Sequence, residues 1–405
     1  MPNSRMPPHR TAIPASCTRS WAARAAVRQT EVEIVGLHCL SMMIDRLREY
    51  VGHETPTGDA QALNAFADRL VDRYGELGGT ARRVPMPTGD HVVANFPGRG
   101  PRAGEAPLLF LGHHDTVWPI GRLRDAMPWR EQDGVIHGPG AFDMKGGLVV
   151  LETALDLVAG QDHRPVRVVV TADEEIGSPS ARELVAAESA GVFAAFGLEA
   201  PHPNGDLKTS RRGSSRVRIE VTGREAHAAL DPAGGVSAID ELIDQLIAVR
   251  ALVSEYGGVL CNVGTITGGG RTNVVPGFAA ADVGLRFVDP ETERAVLEAV
   301  TGLQPVRSKA LLEVSVISSR PAWQTTEATE ELLEKVVAAA RSVGQEVGGA
   351  AASGAADTNL TGWLGVPTLD GLGPRGKGAH ALHEQVIAAS LAERAALVAA
   401  IITTL

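Results

Sequence analysis

The sequence predicts an α/β protein whose layered sheet is interrupted by a second, α+β unit. The valine-rich run Val166–Val170 and the apolar run Leu108–Leu111 alternate with helical patterns such as Gly147–Val158, as strands buried in a layered sheet do. From about Arg211 the order becomes β-α-β-β-α-β, that of a ferredoxin-like two-layer unit. Sheet-and-helix character resumes near Thr325, so the second unit reads as an insertion. With 405 residues the chain is long enough for two such bodies. The expected segments are 1–40, 41–210, 211–322 and 323–405.

Met1 to Thr30 carries Arg5, Arg10, Arg19, Arg24 and Arg28 with no acid and no apolar core of a secretory signal. It reads as a disordered extension or a start assigned too early, with Met42 or Met43 opening the first helical pattern. Leu63, Phe66, Leu70 and Tyr74 mark a helix over Ala60–Leu77. Strands follow at Ala81–Val84, His91–Phe96 and Leu108–Leu111, then the helix at Gly147–Val158 and the strand at Val166–Val170. In the insertion, Val217, Ile219 and Val221 alternate as a half-buried strand. Ser237–Leu252 is a helix, Val259–Ile266 and Ala279–Phe287 are strands, Glu291–Leu303 is a helix and Leu311–Ile317 a strand. A helix at Glu327–Val343, a strand at Val366–Leu369 and a final helix from Gln385 close the chain.

Composition excludes several functions. The net charge is -10, and no basic stripe is present to track phosphates, so nucleic acid is not the expected partner. No apolar run reaches the length of a membrane helix. Cys17, Cys39 and Cys261 are odd in number and lack metal-ligand spacing, which reads as ordinary thiols in a cytoplasmic protein. Gly268-Gly269-Gly270 has no phosphate-loop context. Gly213-Ser214-Ser215 is not the elbow of a serine hydrolase.

Three turns carry acids and histidines at strand ends: Gly112–Thr116, Gly140–Gly147 and Thr171–Glu175. His113 and Asp115 share a strand face, so one can bind a metal while the other orients it. A solvated strand end would look the same. Asp143 stands in a glycine-flanked turn, where it could bridge two metals or merely cap the following helix. Glu174 and Glu175 are adjacent carboxylates that repel unless a cation lies between them. One could coordinate while the other takes a proton from water. Alone they would pass for surface glutamates. Glu199 ends another apolar segment, Val192–Leu198, and His380 lies in Gly378–Glu384. Taken together the candidates offer nitrogen and carboxylate oxygen without thiolate, a set that suits zinc, cobalt or manganese.

In that order, His-x-Asp, Asp-Met-Lys-Gly-Gly, Asp-Glu-Glu, Glu and His, the chain resembles the di-zinc metallopeptidase family of aminoacylases, succinyl-diaminopimelate desuccinylases and glutamate carboxypeptidases. Gly112–Pro119 and Pro367–Gly373 are most similar to the carboxypeptidase G type. The resemblance implies a zinc-exopeptidase-like catalytic domain with an inserted dimerisation or lid domain, acting as a homodimer. It implies two zinc ions per subunit, one held by His113 and Glu199, the other by Glu175 and His380, with Asp143 bridging. Glu174 would be the general base and Asp115 the residue orienting His113. His227 would reach a partner's active site to steady the oxyanion, and Asn273 and Arg286 would contact substrate. His383 rivals His380 as the last ligand; the spacing from His380 to Glu384 matches the family. The family turn Gly-Gly-x-Ser-Asp-Gly-Asn appears here as Ser353–Asn359 without its serine and two glycines, which leaves the ligands intact but alters a turn linked to substrate choice.

The expected activity is hydrolysis of an amide bond next to a free carboxylate, in a small peptide or an N-acyl amino acid. A glutamate carboxypeptidase-like enzyme is the first reading and an N-acyl amino-acid deacylase the second. A catalytically inactive zinc-binding protein is the alternative of another class, opposed by the presence of every ligand and of Glu174.

Overall fold

The structure, a computed structural model, describes residues 29–405. Most of the basic stretch expected to be an extension lies outside the described residues. Its described part is helical: α1 spans Gln29–Gly52, so this helix starts well before Met42. No proline interrupts that stretch, and nothing local stops the helix.

Helix α2 (Ala60–Glu76) is opened by Asp59, whose carboxylate accepts the Ala62 N–H. Strands β1 (Thr80–Val84), β2 (His91–Phe96), β3 (Leu108–His113), β4 (Val166–Thr171) and β5 (Ala194–Gly197) follow, with helix α3 (Gly146–Val158) between β3 and β4. The short strand Thr368–Leu369 completes a six-stranded sheet, in which β4 separates β2 from β3 and β5 lies beside β3. Strands β3, β4, β5 and 368–369 run parallel, while β1 and β2 run against their neighbours.

Every residue of β3 is buried. Leu108 and Phe110 face one hydrophobic cluster, which α1, α3 and the C-terminal helix Ala388–Thr404 help to build. Leu109 and Leu111 face a second cluster with Val185 and Leu360. This two-sided burial is why the strand is apolar throughout instead of alternating. The carboxyl ends of β3, β4 and β5 open on one edge of the sheet, where the Gly112–Thr116 turn, the Thr171–Glu175 turn and Glu199 emerge; the Gly140–Gly147 turn instead leads into α3.

The inserted unit has its own core. Strands β6 (Gly213–Thr222), β7 (Leu260–Gly268), β8 (Phe278–Phe287) and β9 (Leu311–Arg320) form an antiparallel sheet in the order β7-β8-β6-β9, the ferredoxin-like arrangement. Val217, Ile219, Val283 and Leu285 pack on Leu242, Leu246 and Val249 of helix α4 (Ala238–Ser254) and on Val296 and Val300 of helix α5 (Pro290–Thr301). The opposite face carries Ser214, Arg216, Gly284, Arg286 and Arg320.

Some elements were not anticipated. Arg130–Gln132 and Val135–His137 form a hairpin through Asp133-Gly134, both at positive φ, a turn that suits this dipeptide. Gln385–Ile387 pairs with that hairpin, so the last helix begins at Ala388, three residues later than expected. Ala226–His227 also pairs with Val274–Val275, in a small ladder outside the main sheets.

Where the chain leaves the six-stranded sheet for the insertion, Arg211 grips one buried oxygen of Asp370, Oδ2, donating from Nε at 2.8 Å and from Nη2 at 2.6 Å. Asp370 also accepts from Thr358 Oγ1 and Gly371 N. Breaking a buried ion pair leaves its partner uncompensated, so Asp370→Ala should lower unfolding stability by roughly 3–5 kcal/mol. Urea denaturation would measure this, and a loss below about 1 kcal/mol would show the pair to be structurally idle.

Candidate metal centre

His113, the last residue of β3, is almost fully buried, and its ring faces two carboxylates. Its Nε2 lies 3.3 Å from Asp143 Oδ1 and 3.4 Å from Glu199 Oε1. The other oxygen of Asp143 lies 3.3 Å from His380 Nε2, which is in turn 2.9 Å from Glu175 Oε2. Two potential metal-binding groups therefore share one residue: His113, Asp143 and Glu199, and Asp143, Glu175 and His380. The sequence places these residues across 268 positions, and the fold brings them within one constellation.

The electrostatics ask for cations here. Burial opposes charge on His113, but hydrogen bonds with Asp115, Asp143 and Glu199 raise its proton affinity well above normal. Hydrogen bonds with Asp143 and Glu175 push His380 up to about 10. Burial likewise raises Glu175. Glu175 Oε1 is buried with no hydrogen-bond partner among the described residues, a cost that a metal ion would remove. The donors present thus fit divalent metals such as zinc.

His113 and Asp143 are each held from behind. His113 Nδ1 lies 3.0 Å from the Asp115 carbonyl oxygen, with Asp115 Oδ1 further away at 3.4 Å. The Asp115 carboxylate is mostly committed elsewhere: it accepts Thr57 Oγ1 at 2.8 Å and the backbone N–H groups of Glu174 and Glu175 at 3.1 and 3.2 Å. Asp115 therefore ties the end of β3 to the Glu174–Glu175 loop as well as facing His113. His114 points away, with Nε2 on the Asp90 carbonyl, and burial lowers it to about 4.

Asp143 does not cap α3. The helix starts after Lys145 with no side-chain cap, and the Asp143 carboxylate turns toward the two histidines. Its turn is fixed by Glu384, which accepts the N–H groups of Gly140, Phe142 and Asp143 and the Trp118 indole N–H. A side chain at Gly147 would strike the Leu198 carbonyl, so the second glycine of Lys-Gly-Gly lets α3 pack against the end of β5. His380 sits at φ 60° and is half exposed. His383 is exposed and belongs to neither potential metal group.

Glu174 is buried at the wall of the same cavity, and burial raises its proton affinity well above a normal carboxylate, against the pull of Arg320 and His113. Arg320 Nη2 lies 3.0 Å from Glu174 Oε1 and donates to the Glu174 carbonyl. It also reaches Ser178 Oγ at 2.8 Å and Asp357 at 3.5 Å. Arg320 was not singled out from sequence; its signal, an arginine at the end of a strand, is too common to find it. Asp357 accepts from Thr171 and Ser178, and Asn359 donates to the Arg212 and Pro321 carbonyls. The altered turn thus keeps its Asp and Asn as structural pins, while Gly354 and Ala355 line the cavity.

That cavity, about 360 Å³, also includes Arg286. His227 and Asn273 do not line it. They meet on the small exposed ladder, where Ala228 N donates to the Asn273 carbonyl and His227 Nδ1 accepts from Ala229 and Leu230.

The family model for peptidase family M20/M25/M40 matches residues 109–404. The chain belongs to this family. Carboxypeptidase G2 of Pseudomonas sp. (strain RS-16) is 28% identical over 386 residues, covering 92% of both chains. A succinyl-diaminopimelate desuccinylase of Maricaulis maris is 32% identical over 56% of this chain and 61% of its own. A tripeptidase of Staphylococcus aureus has the same fold, with a TM-score of 0.71 and 22% identity over 90% of this chain and 98% of its own. The M20 membership makes this protein a hydrolytic enzyme of the metal-dependent peptidase and amidohydrolase kind, with metal-ligand groups where the family's motifs fall. Among the described residues, no helix of this M20 protein is long and apolar enough to cross a membrane.

Proposed function

We propose that this protein is a di-zinc amidohydrolase that cuts an amide bond next to a free carboxylate, with a glutamate carboxypeptidase-like preference. The observation that carries the reading is Asp143, whose two oxygens each face a different histidine at 3.3 Å. His113 and Glu199 would hold one ion and Glu175 and His380 the other, with Asp143 between; cobalt or manganese also suits these donors. Metal ions there would polarise the scissile carbonyl and acidify water. Glu174, beside the ligands in the cavity, would take the proton of the attacking water and return it to the leaving amine. Arg286 would hold the substrate carboxylate through its planar fork.

His227 and Asn273 lie on an exposed ladder away from this cavity, which supports a role across a homodimer, in the partner's site. The edge strand β7 with exposed Leu260 and Ile266, and exposed Ile243 and Ile247 on α4, support the inserted unit (211–322) as the dimerisation and lid domain. A cytoplasmic location belongs to the same proposal. An N-acyl amino-acid deacylase is the second reading, favoured by the similarity to a desuccinylase.

Chelation should abolish hydrolysis and added zinc should restore it. The sign of the pH dependence follows from the histidines. Both have raised proton affinity, so in the metal-free protein they carry protons near neutrality that ligation must displace. Metal affinity should therefore weaken as pH falls, with protons released on binding, measured by calorimetry in buffers of different ionisation enthalpy. Chelator-resistant turnover would refute the reading.

A further inference from the structure

We propose that Arg216 is a specificity residue: with Arg286 it seats a second carboxylate of the substrate, so the preferred substrate is a dianion. This rests on the amidohydrolase reading above and names the substrate class of that site. Register sets the geometry. Arg286 of β8 and Arg320 of β9 both stand opposite Ser214 of β6, and Gly284 and Ser318 stand opposite Arg216, two residues further along. Cross-strand partners share a face, so Arg216, Arg286 and Arg320 project from the same side of the inserted sheet. That side forms one wall of the cavity whose other wall carries Asp143, Glu175, Glu199 and His380.

The arginines of this face differ in their partners. Arg218, one step further from the cavity, is neutralised by Glu220 at 2.5 Å and Asp282 at 3.0 Å. Arg320 is committed to Glu174 and Asp357. Among the described residues the Arg286 side chain donates to the neighbouring Leu285 carbonyl alone, at 3.1 Å, and the Arg216 side chain makes neither a hydrogen bond nor an ion pair. Two guanidinium groups without carboxylates thus stand diagonally across adjacent strands, roughly 7–8 Å apart at the backbone. Gly284, opposite Arg216, brings no side chain, and a Cβ there would meet only the Asn262 carbonyl oxygen, at 3.8 Å. One guanidinium suffices for the carboxylate next to the scissile amide. The second has an anion to find, and a small diacid spans the separation. The second carboxylate could come from an acidic amino-acid side chain or from the acyl group.

The experiment compares N-acetylglutamate, N-succinylleucine and N-acetylleucine as substrates of the metal-loaded wild type, Arg216→Ala and Arg216→Lys. Arg216→Ala should reduce kcat/KM for a diacid relative to N-acetylleucine by roughly 10- to 100-fold, mainly through KM, with Arg216→Lys in between. The diacid that loses most identifies the source of the carboxylate. An equal loss on all three substrates would instead show Arg216 merely balancing the acidic ligands and would overturn the proposal. So would a wild type without diacid preference. Calorimetric binding of glutarate against butyrate to the same variants needs no turnover. If no amide is cleaved, the hydrolase reading fails, while the glutarate-to-butyrate ratio still decides the role of Arg216.

Discussion

Glu174→Gln should lower kcat by about 10²- to 10⁴-fold while leaving KM and metal content close to wild type. Glutamine keeps the size of the buried side chain and can still accept from Arg320, which lies 3.0 Å from Glu174 Oε1. The substitution therefore removes the capacity to take a proton and the charge that faces Arg320, which keeps Asp357 as its other acid. Glu174 belongs to neither potential metal group, so the ligands are untouched. Steady-state kinetics with elemental analysis of the same preparations would check this. Full turnover in the variant would remove Glu174 as the base, and loss of metal would mean that it ligates.

Asp143→Ala should have the largest effect on metal content, because Asp143 alone belongs to both groups. Removing it leaves His113 with Glu199, and His380 with Glu175, each a pair too small to hold an ion firmly. Both equivalents should be lost, with activity. Glu199→Ala, by contrast, should lose one equivalent and keep the other. Parallel metal analysis of the two variants distinguishes a bridging from a terminal Asp143. Equal losses in the two would sink the bridging geometry.

Much of the fold was legible because burial writes itself into composition. Val166–Val170 is apolar on both faces except at half-buried Arg167, since both faces of β4 are otherwise covered. The alternation at Val217, Ile219 and Val221 shows one covered face, and the helices of the insertion cover that face. The hairpin at Asp133-Gly134 was also readable, as an Asp-Gly pair, but its strands are three residues long and carry no period to count. The strand at Gln385–Ile387 merges with the helix after it because no glycine or proline separates them.

The site divides in the same way. His113, Glu174, Glu175 and Glu199 could be singled out because each follows an apolar run, and a polar group at a strand's carboxyl end has few other reasons to be there. Glu384 was visible only as a spacing marker, yet it holds the Asp143 turn through three backbone N–H groups. Arg320 and Arg216 left no mark at all. A backbone N–H donates the same bond whatever its side chain, so a residue such as Glu384 chosen to accept it has no partner in the sequence to betray it.

By itself, then, the sequence determined the layered α/β class, the ferredoxin-like insertion and the types of group available for chemistry, because burial and turn formation act over a few neighbouring residues. The tertiary structure decided the rest: which oxygen of Asp143 faces which histidine, where the Asp115 carboxylate is spent, that His380 and not His383 joins the cluster, and which arginines keep no acid. These are contacts between segments up to hundreds of residues apart. Strand register and loop closure set them, and no local pattern encodes either.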